Sequence, residues 1–170
     1  MTTRTTAGDS QADPEGFDAA GDWCTVEFGQ LLTEPVRNGI YKAKEYRGRG
    51  AKIVNMGELF AFPRLGRVPM KRIEVTDSES SRFGIIAGDL IFARRSLVAE
   101  GAGKCSIVVA TDGPTVFESS IIRARPNPVV TDSGFLYYYF NSPGCRRASG
   151  AGRHDRDWRS LASVQGCTSS

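Results

Sequence analysis

Short apolar runs separated by glycine and proline recur between residues 53 and 123, a pattern typical of strands rather than of long helices. The predicted strands are residues 53–56, 90–93, 105–110 and 115–123, with a more polar edge strand within 68–75. Residues 90–93 are apolar throughout, which predicts a strand that is buried on both faces. Asp112-Gly113-Pro114 predicts a turn, because glycine tolerates a positive φ and proline fixes its own φ.

One helix and one helical turn complete the predicted elements. The aromatic run 135–140 predicts a helix, with Thr131, Asp132 and Ser133 as candidate N-caps and Pro143-Gly144 as its stop. Ordered structure is expected to begin at Trp23, with a short strand that leads into a helical turn. We therefore predict an α+β fold: a single domain over residues 23–143, with a mixed, mainly antiparallel twisted sheet and few helices.

The two flanks of this domain have compositions that disfavour a packed core. Residues 1–22 carry one basic residue against five acids and one large apolar side chain after Met1, which predicts a disordered acidic leader. Residues 144–170 are rich in Arg, Gly, Ser and Ala, and their apolar residues are too sparse for an amphipathic helix. We predict a poorly ordered tail there.

Length, cysteine usage and charge narrow the function classes. A chain of 170 residues is expected to form one domain. No apolar run approaches the roughly 18 residues of a membrane span, and no signal peptide is visible, so a cytoplasmic location is expected. The four cysteines lie far apart and are expected to be reduced thiols rather than zinc ligands. Residues 23–97 hold thirteen basic residues against eight acids, so a basic domain follows the acidic leader.

The sequence lacks the residue patterns of common catalytic sites. The single histidine, His154, lies in the predicted tail, which disfavours a Ser-His-Asp or Cys-His pair in the folded body. Gly101-Ala102-Gly103-Lys104 fails the spacing of a phosphate-binding loop and is better explained as a glycine turn. We predict a non-catalytic chain without a metal site, and a small enzyme of unrecognised type stays as an alternative.

Basic and aromatic residues are interleaved along a glycine-rich stretch. Long cations beside aromatic rings suit contacts to phosphates and base edges, and a solvated loop is the alternative. Arg94 and Arg95 follow the buried strand, which would hold an arginine fork in place for a guanine; the alternative is a surface ion pair with Asp89 or Glu100. The candidate DNA-binding residues are Tyr41, Lys42, Lys44, Arg47, Arg49, Lys52, Arg64, Arg67, Lys71, Arg72, Arg94 and Arg95.

A series of motifs in register over residues 23–143 resembles the target recognition domain of the specificity subunit of type I restriction-modification systems. The motifs are Trp23-Cys24-Thr25-Val26-Glu27-Phe28-Gly29-Gln30-Leu31, Asn38-Gly39-Ile40-Tyr41, Ile53-Val54-Asn55-Met56-Gly57-Glu58-Leu59, Gly88-Asp89-Leu90-Ile91-Phe92-Ala93-Arg94-Arg95, Glu118-Ser119-Ser120-Ile121-Ile122-Arg123 and Phe135-Leu136-Tyr137-Tyr138-Tyr139-Phe140-Asn141-Ser142-Pro143. Each motif alone is a weak signal, and the match is specific because the motifs follow one another in the same order as in the family.

The resemblance implies a module for defence against foreign DNA that reads one half of a bipartite DNA sequence. It implies docking onto a methyltransferase (modification) subunit, and through the complex an association with a restriction subunit that has nuclease and translocase activity. S-adenosylmethionine, ATP and Mg²⁺ are then expected only in those partner subunits, with no cofactor in this chain. In this family the variable loops and strand ends contact DNA, which points to residues 41–52, 64–72 and 94–95.

The chain departs from this family in its length. A full specificity subunit has two recognition domains and long spacer helices, whereas this sequence has one domain and no such helix. The chain is then either a half-size subunit or a truncated one. We hypothesise a truncation by a frameshift between about residues 141 and 153, because one choice of synonymous codons for 153–158 encodes Gly-Thr-Thr-Gly-Thr-Gly in the next frame, which looks like the segment expected just before the family's spacer helix. Nucleotides that forbid this alternative frame would exclude the hypothesis.

A protein-interaction module that does not bind DNA is the second function class. The tyrosine run 137–139 would anchor such an interface, because tyrosine is favoured at interface hot spots. A half-buried helix face explains the same residues more simply.

Overall fold

The computed structural model describes residues 23–94, 103–148 and 163–167, with residues 23–25, 146–148 and 163–167 described by their backbone alone. The strands are β1 (Trp23–Glu27), β2 (Leu32–Asn38), β3 (Arg47–Val54), β4 (Arg64–Leu65), β5 (Lys71–Ile73), β6 (Leu90–Ala93), β7 (Cys105–Val108), β8 (Thr115–Phe117), β9 (Ile121–Pro126) and β10 (Ser163–Cys167). The helices are α1 (Met56–Ala61), α2 (Asp77–Phe83), α3 (Ser133–Asn141) and α4 (Pro143–Ala148), with 3-10 turns at Phe28–Leu31 and Lys44–Tyr46. The predicted α+β class is confirmed.

The strands form three sheets of mixed direction. The largest has the order β2-β9-β6-β7-β4, and all its pairs are antiparallel except β4–β7. The second has the order β5-β3-β8, with β3 antiparallel to β5 and parallel to β8. β1 and β10 form an antiparallel pair of their own. The predicted mixed, mainly antiparallel arrangement is therefore confirmed, and β5 is an edge strand as its polar sequence predicts.

β6 lies between two hydrophobic clusters. Leu90 and Phe92 pack into the cluster under α3, whereas Ile91 and Ala93 pack into a second cluster with Leu59 of α1. All four β6 side chains are buried, which confirms the prediction that this strand is apolar on both faces. β6 thereby fixes the middle of the larger sheet between two helical layers.

The predicted aromatic helix is α3. The carboxylate of Asp132 caps it by accepting a hydrogen bond from the backbone N–H of Phe135 at 2.7 Å. Leu136 and Phe140, four residues apart, turn the same face towards the core and are buried. α3 ends at Asn141, and Pro143 then begins α4 instead of ending helical structure, as a proline at a first helical position can.

The structure contains two short helices that the strand pattern did not predict. α1 begins with a capping box between Asn55 and Glu58, and α2 begins with the same motif between Thr76 and Glu79. Residues 115–123, predicted as one strand, are divided by a turn in which the N–H of Ile121 donates to the carbonyl of Glu118 at 3.0 Å. The two halves, β8 and β9, therefore join different sheets.

An ionic network ties β2 and β9 to the turn before β6. The side chain of Asp89 is fully buried and accepts hydrogen bonds from Arg125 Nε at 2.7 Å and Nη2 at 2.8 Å. Glu34 of β2 accepts from Arg123 at 2.7 Å and lies 3.0 Å from Arg125. Arg123 also donates to the carbonyl of Gly84, so the network links three separate parts of the chain.

Both predicted flanks lie largely outside the described residues. Residues 1–22 and 149–162 carry no structural description, so the disordered leader, the poorly ordered tail and the frameshift stay predictions. Within the tail the structure has two regular elements, α4 and β10, which we did not predict. β10 pairs in register with β1, a long-range contact that local composition does not encode. Across the described ranges, no helix has the length and apolar character needed to cross a membrane.

Candidate nucleic-acid interface

The exposed half of β3 leaves the strand ladder as a glycine-containing bulge. Arg47 and Ala51 both pair with Ile73 of β5, so the residues between them are looped out. Gly48 and Gly50 have φ values of 107° and 90°, where an L side chain would be strained. A Cβ at Gly50 would also lie 2.6 Å from the carbonyl oxygen of Ile73. We name residues 47–50, Arg-Gly-Arg-Gly, the basic bulge; all four are exposed.

A cationic groove lies beside the basic bulge and the start of β5. It has a volume of about 530 Å³ and is lined by Arg47, Gly48, Met70, Lys71 and Arg72. Arg72 Nη1 donates to the carbonyl of Gly50 at 2.7 Å, which fastens the bulge to β5. Within the described ranges, no carboxylate lies within 4 Å of the cations of Arg47, Lys71 or Arg72. The groove therefore presents three cationic side chains that are available to an anion.

Two ion pairs flank this groove. Arg49 pairs with Glu74, and the hydrogen bond from Arg49 is the main cause that lowers the pKa of Glu74. The ammonium of Lys52 lies 2.7 Å from both carboxylate oxygens of Asp112, and the hydrogen bond from Lys52 lowers the pKa of Asp112. Both carboxylates therefore stay ionised at neutral pH and compete with an incoming anion for these two cations.

A third ion pair joins the loop before the second 3-10 turn to α2. Lys42 lies 2.7 Å from Glu79 of α2, and its ammonium sits 4.8 Å from the ring centre of Tyr46. The hydrogen bond from Lys42 is the main cause that lowers the pKa of Glu79. Lys44, in the neighbouring 3-10 turn, is exposed. Lys42 is thus held to the protein, whereas Lys44 extends into solvent.

The two arginines at the edge of the larger sheet are exposed. Arg64 belongs to the edge strand β4, and Arg67 follows it. Arg67 contributes to lowering the pKa of Asp112, which places its charge near the Lys52–Asp112 pair. Arg67 therefore adds positive charge near the Lys52–Asp112 pair, whereas Arg64 lies on β4, at the edge of the larger sheet.

The remaining candidate residues lie at the opposite end of β8. Lys52 is opposite Thr115, at the start of β8. The N–H of Arg94 instead donates to Ser120, beyond the end of β8, at 2.9 Å. Tyr41, with 84% of its surface exposed, follows the bridge between Ile40 and Glu118 at that same end. The structure thus separates Tyr41 and Arg94 from the cationic groove, and Arg95 lies outside the described residues.

Two arginines outside the predicted DNA-binding set have structural roles. Arg123 and Arg125 of β9 bind Glu34 and Asp89. Asp89, considered above as a partner for Arg94, is instead the partner of Arg125. Burial is the main cause that lowers the pKa of Arg123. The alternation of basic and apolar residues in 121–125 could have indicated an internal ionic contact, but not its partners. Across the part of the chain that the structure describes, no cluster of His, Cys, Asp or Glu is suited to a metal ion.

The Lys52–Asp112 pair gives a test of the cationic surface. We expect Asp112→Asn to bind DNA more tightly at low salt, because it frees the Lys52 ammonium and removes a negative charge. The slope of log K against log salt should steepen by about one, as one added phosphate contact requires. Fluorescence anisotropy with a labelled duplex measures both. Thr111→Ala, next in the same turn, is the control, and an unchanged slope for Asp112→Asn would show that Lys52 does not meet phosphate.

Comparisons with known proteins identify the fold. No family model matches the chain, and no curated protein does. Among solved structures, the chain is similar to the HsdS subunit from Thermoanaerobacter tengcongensis, with 14% identity and a TM-score of 0.58 over 93% of this chain and 34% of that one. It is also similar to a chain in a structure that concerns complex assembly and conformational transition of the type I R-M system, with 14% identity and a TM-score of 0.54 over 84% of this chain and 32% of that one.

The structural similarity confirms, at the level of the fold, the resemblance drawn from the sequence motifs. The chain has the fold of one part of these type I restriction-modification subunits. It spans about one third of the length of each of these two solved chains.

Proposed function

We propose that this chain is a non-catalytic module that recognises double-stranded DNA for a type I restriction-modification system. The observation that carries the proposal is the cationic groove between the basic bulge and β5, where Arg47, Lys71 and Arg72 meet no described carboxylate. Cations without a carboxylate partner, where β3 pairs with β5 alone, suit the phosphates of a duplex, whose major groove admits a two-stranded ribbon. The shared fold with HsdS supports the same function.

The proposed contacts divide into two groups. Those at the cationic groove carry most of the binding: Arg47, Arg49, Lys52, Arg67, Lys71 and Arg72. Those elsewhere would contact DNA only where the duplex extends beyond the groove: Tyr41, Lys42, Lys44, Arg64, Arg94 and Arg95. Phosphate contacts from the first group supply affinity, and contacts to base edges supply specificity.

The salt dependence of DNA binding tests the proposal. We expect the full chain to bind a duplex with a dissociation constant of about micromolar order at physiological salt, because few phosphates are contacted. Log K should fall linearly with log salt, at a slope of about −0.9 for each phosphate contacted. Fluorescence anisotropy over about 50 to 200 mM salt measures this slope. Binding that is absent, or that does not change with salt, would contradict the proposal.

We propose that the protein partners are the modification subunit and, through the complex, the restriction subunit. Exposed apolar side chains on α3 and in the turn before it support a protein contact. Val129, Val130, Phe135 and Tyr138 are exposed large apolar residues in and just before α3. Co-purification of the full chain with a modification subunit, compared with the same chain carrying Tyr138→Ser, tests this assignment. We further propose a cytoplasmic location, where these partners act.

A further inference from the structure

Arg49 differs from the other cations of the interface in how it is held. Its Nε donates to Oε1 of Glu74, while 78% of the side chain stays exposed. Within the described ranges, neither terminal amino group of Arg49 has a hydrogen-bond partner. A guanidinium that is bound through Nε keeps its two terminal groups side by side, as a fork that can donate two parallel hydrogen bonds.

The neighbouring cations lack this arrangement. The ammonium of Lys52 is shared by both oxygens of Asp112, and only 20% of its side chain is exposed. Arg72 uses one terminal amino group to bind the carbonyl of Gly50. No described carboxylate orients Arg47. Arg49 is therefore the arginine of the basic bulge that combines a carboxylate support with an exposed fork.

The position of Arg49 suits a base edge. It lies between Gly48 and Gly50, whose positive φ values turn the bulge out of the ladder. The bulge belongs to the half of β3 that pairs with β5 alone, because the pairing of β3 with β8 begins only at Lys52, and a two-stranded antiparallel segment fits the major groove. There, guanine offers two acceptors, O6 and N7, spaced for an arginine fork.

We propose that Arg49 reads a guanine in the major groove and that Glu74 is the positioning residue that holds the Arg49 guanidinium for this contact. The inference rests on the proposed function, because it needs DNA to occupy the cationic groove. Support from Glu74 fixes side-chain torsions before binding, which lowers the entropy lost when the two hydrogen bonds form. Glu74 thus lowers the positive charge of the surface and raises its selectivity.

The test compares sequence preference with total affinity. The full chain is first used to select duplexes from a randomised double-stranded oligonucleotide pool. Anisotropy then measures binding to the selected duplex and to duplexes with single G·C→A·T changes. The variants are Arg49→Lys, Glu74→Ala and Glu74→Gln, and Arg82→Lys on α2 is the control for an exposed arginine outside the interface. Thermal unfolding of each variant verifies the fold.

We expect one G·C→A·T change to cost the unaltered protein about tenfold in affinity. Arg49→Lys should reduce this preference to less than about twofold with the salt slope unchanged, because lysine keeps the charge but lacks the fork. Glu74→Ala should lose most of the preference while binding other duplexes at least as tightly. Glu74→Gln, which keeps an oxygen acceptor, should retain more of the preference than Glu74→Ala. A variant that had lost its fold would bind every duplex weakly and would show none of these differences.

Two results would overturn the inference. If Arg49→Lys leaves every base preference intact, Arg49 contacts a phosphate rather than a guanine. If Glu74→Ala leaves the guanine preference intact, Glu74 does not position Arg49. Failure of the proposed function is distinguishable, since the unaltered protein would then bind no duplex from the pool at any salt concentration.

Discussion

Asp89→Ala is expected to lower the free energy of unfolding by about 3–5 kcal/mol, the cost of removing one partner from a buried ion pair. The fully buried Asp89 carboxylate accepts two hydrogen bonds from Arg125 and one from the N–H of Ile86 at 2.9 Å. Alanine would leave the N–H of Ile86 and Nε of Arg125 without an acceptor, while Nη2 of Arg125 would keep the carbonyl of Gly84 at 3.2 Å. Urea unfolding measures the effect through the midpoint and slope of the transition.

Asp77→Ala is the matched control for this substitution. Asp77 is also an aspartate at the start of a short element, but it is exposed and lies in the first turn of α2. Its replacement should change the stability little, because exposed charges near a helix start contribute only tenths of a kcal/mol. A loss below about 1 kcal/mol for Asp89→Ala would mean that the ionic network does not hold β9 to β6.

Replacing Arg47, Lys71 and Arg72 together by glutamine is expected to weaken duplex binding about a hundredfold near 100 mM salt. Each lost phosphate contact removes about 0.9 from the slope of log K against log salt, so the slope should fall by nearly three. The three side chains are exposed and lie outside the core, although the variant also removes the hydrogen bond from Arg72 to the carbonyl of Gly50, so thermal unfolding verifies its fold. Fluorescence anisotropy at several salt concentrations measures both the affinity and the slope.

Arg82→Gln serves as the control for this variant, because it removes an exposed positive charge from α2. The control should lower the affinity only slightly, through the smaller net charge. A triple variant that binds DNA with an unaltered salt slope would assign the phosphate contacts to another surface. The cations near Tyr41 and Arg94, at the other end of β8, would then be the next candidates.

The elements that local sequence specifies were predictable. An uninterrupted apolar run predicts β6, because a strand that is buried on both faces has no polar positions. The Asp132 cap followed by an aromatic run predicts α3. α1 and α2 were missed although each has an Asn/Thr-x-x-Glu signature, because each helix spans only about two turns and shows little apolar periodicity. The division of 115–123 was missed because it depends on which strands pair with each half.

The candidate interface was predictable in composition but not in arrangement. The sequence contains the basic residues of 47–52 and 71–72, but it is the pairing of β3 with β5 that brings these two groups close together. The same long-range pairing separates Arg94 from them and assigns Asp89 to Arg125. The carboxylates Glu74 and Asp112 lie 25 and 60 residues from the cations that they bind, so no local motif indicates them.

Mapping the DNA contact surface by NMR is the most direct test of the central claim. A short duplex would be titrated into the ¹⁵N-labelled full chain at low salt, and the backbone amide shifts followed. We predict that the largest changes occur in the basic bulge and β5, and that they disappear as salt is raised. Changes confined to α3, with the basic bulge and β5 unaffected, would contradict DNA recognition by this surface and would place the DNA contact at α3. The absence of any change would instead favour a protein-interaction module.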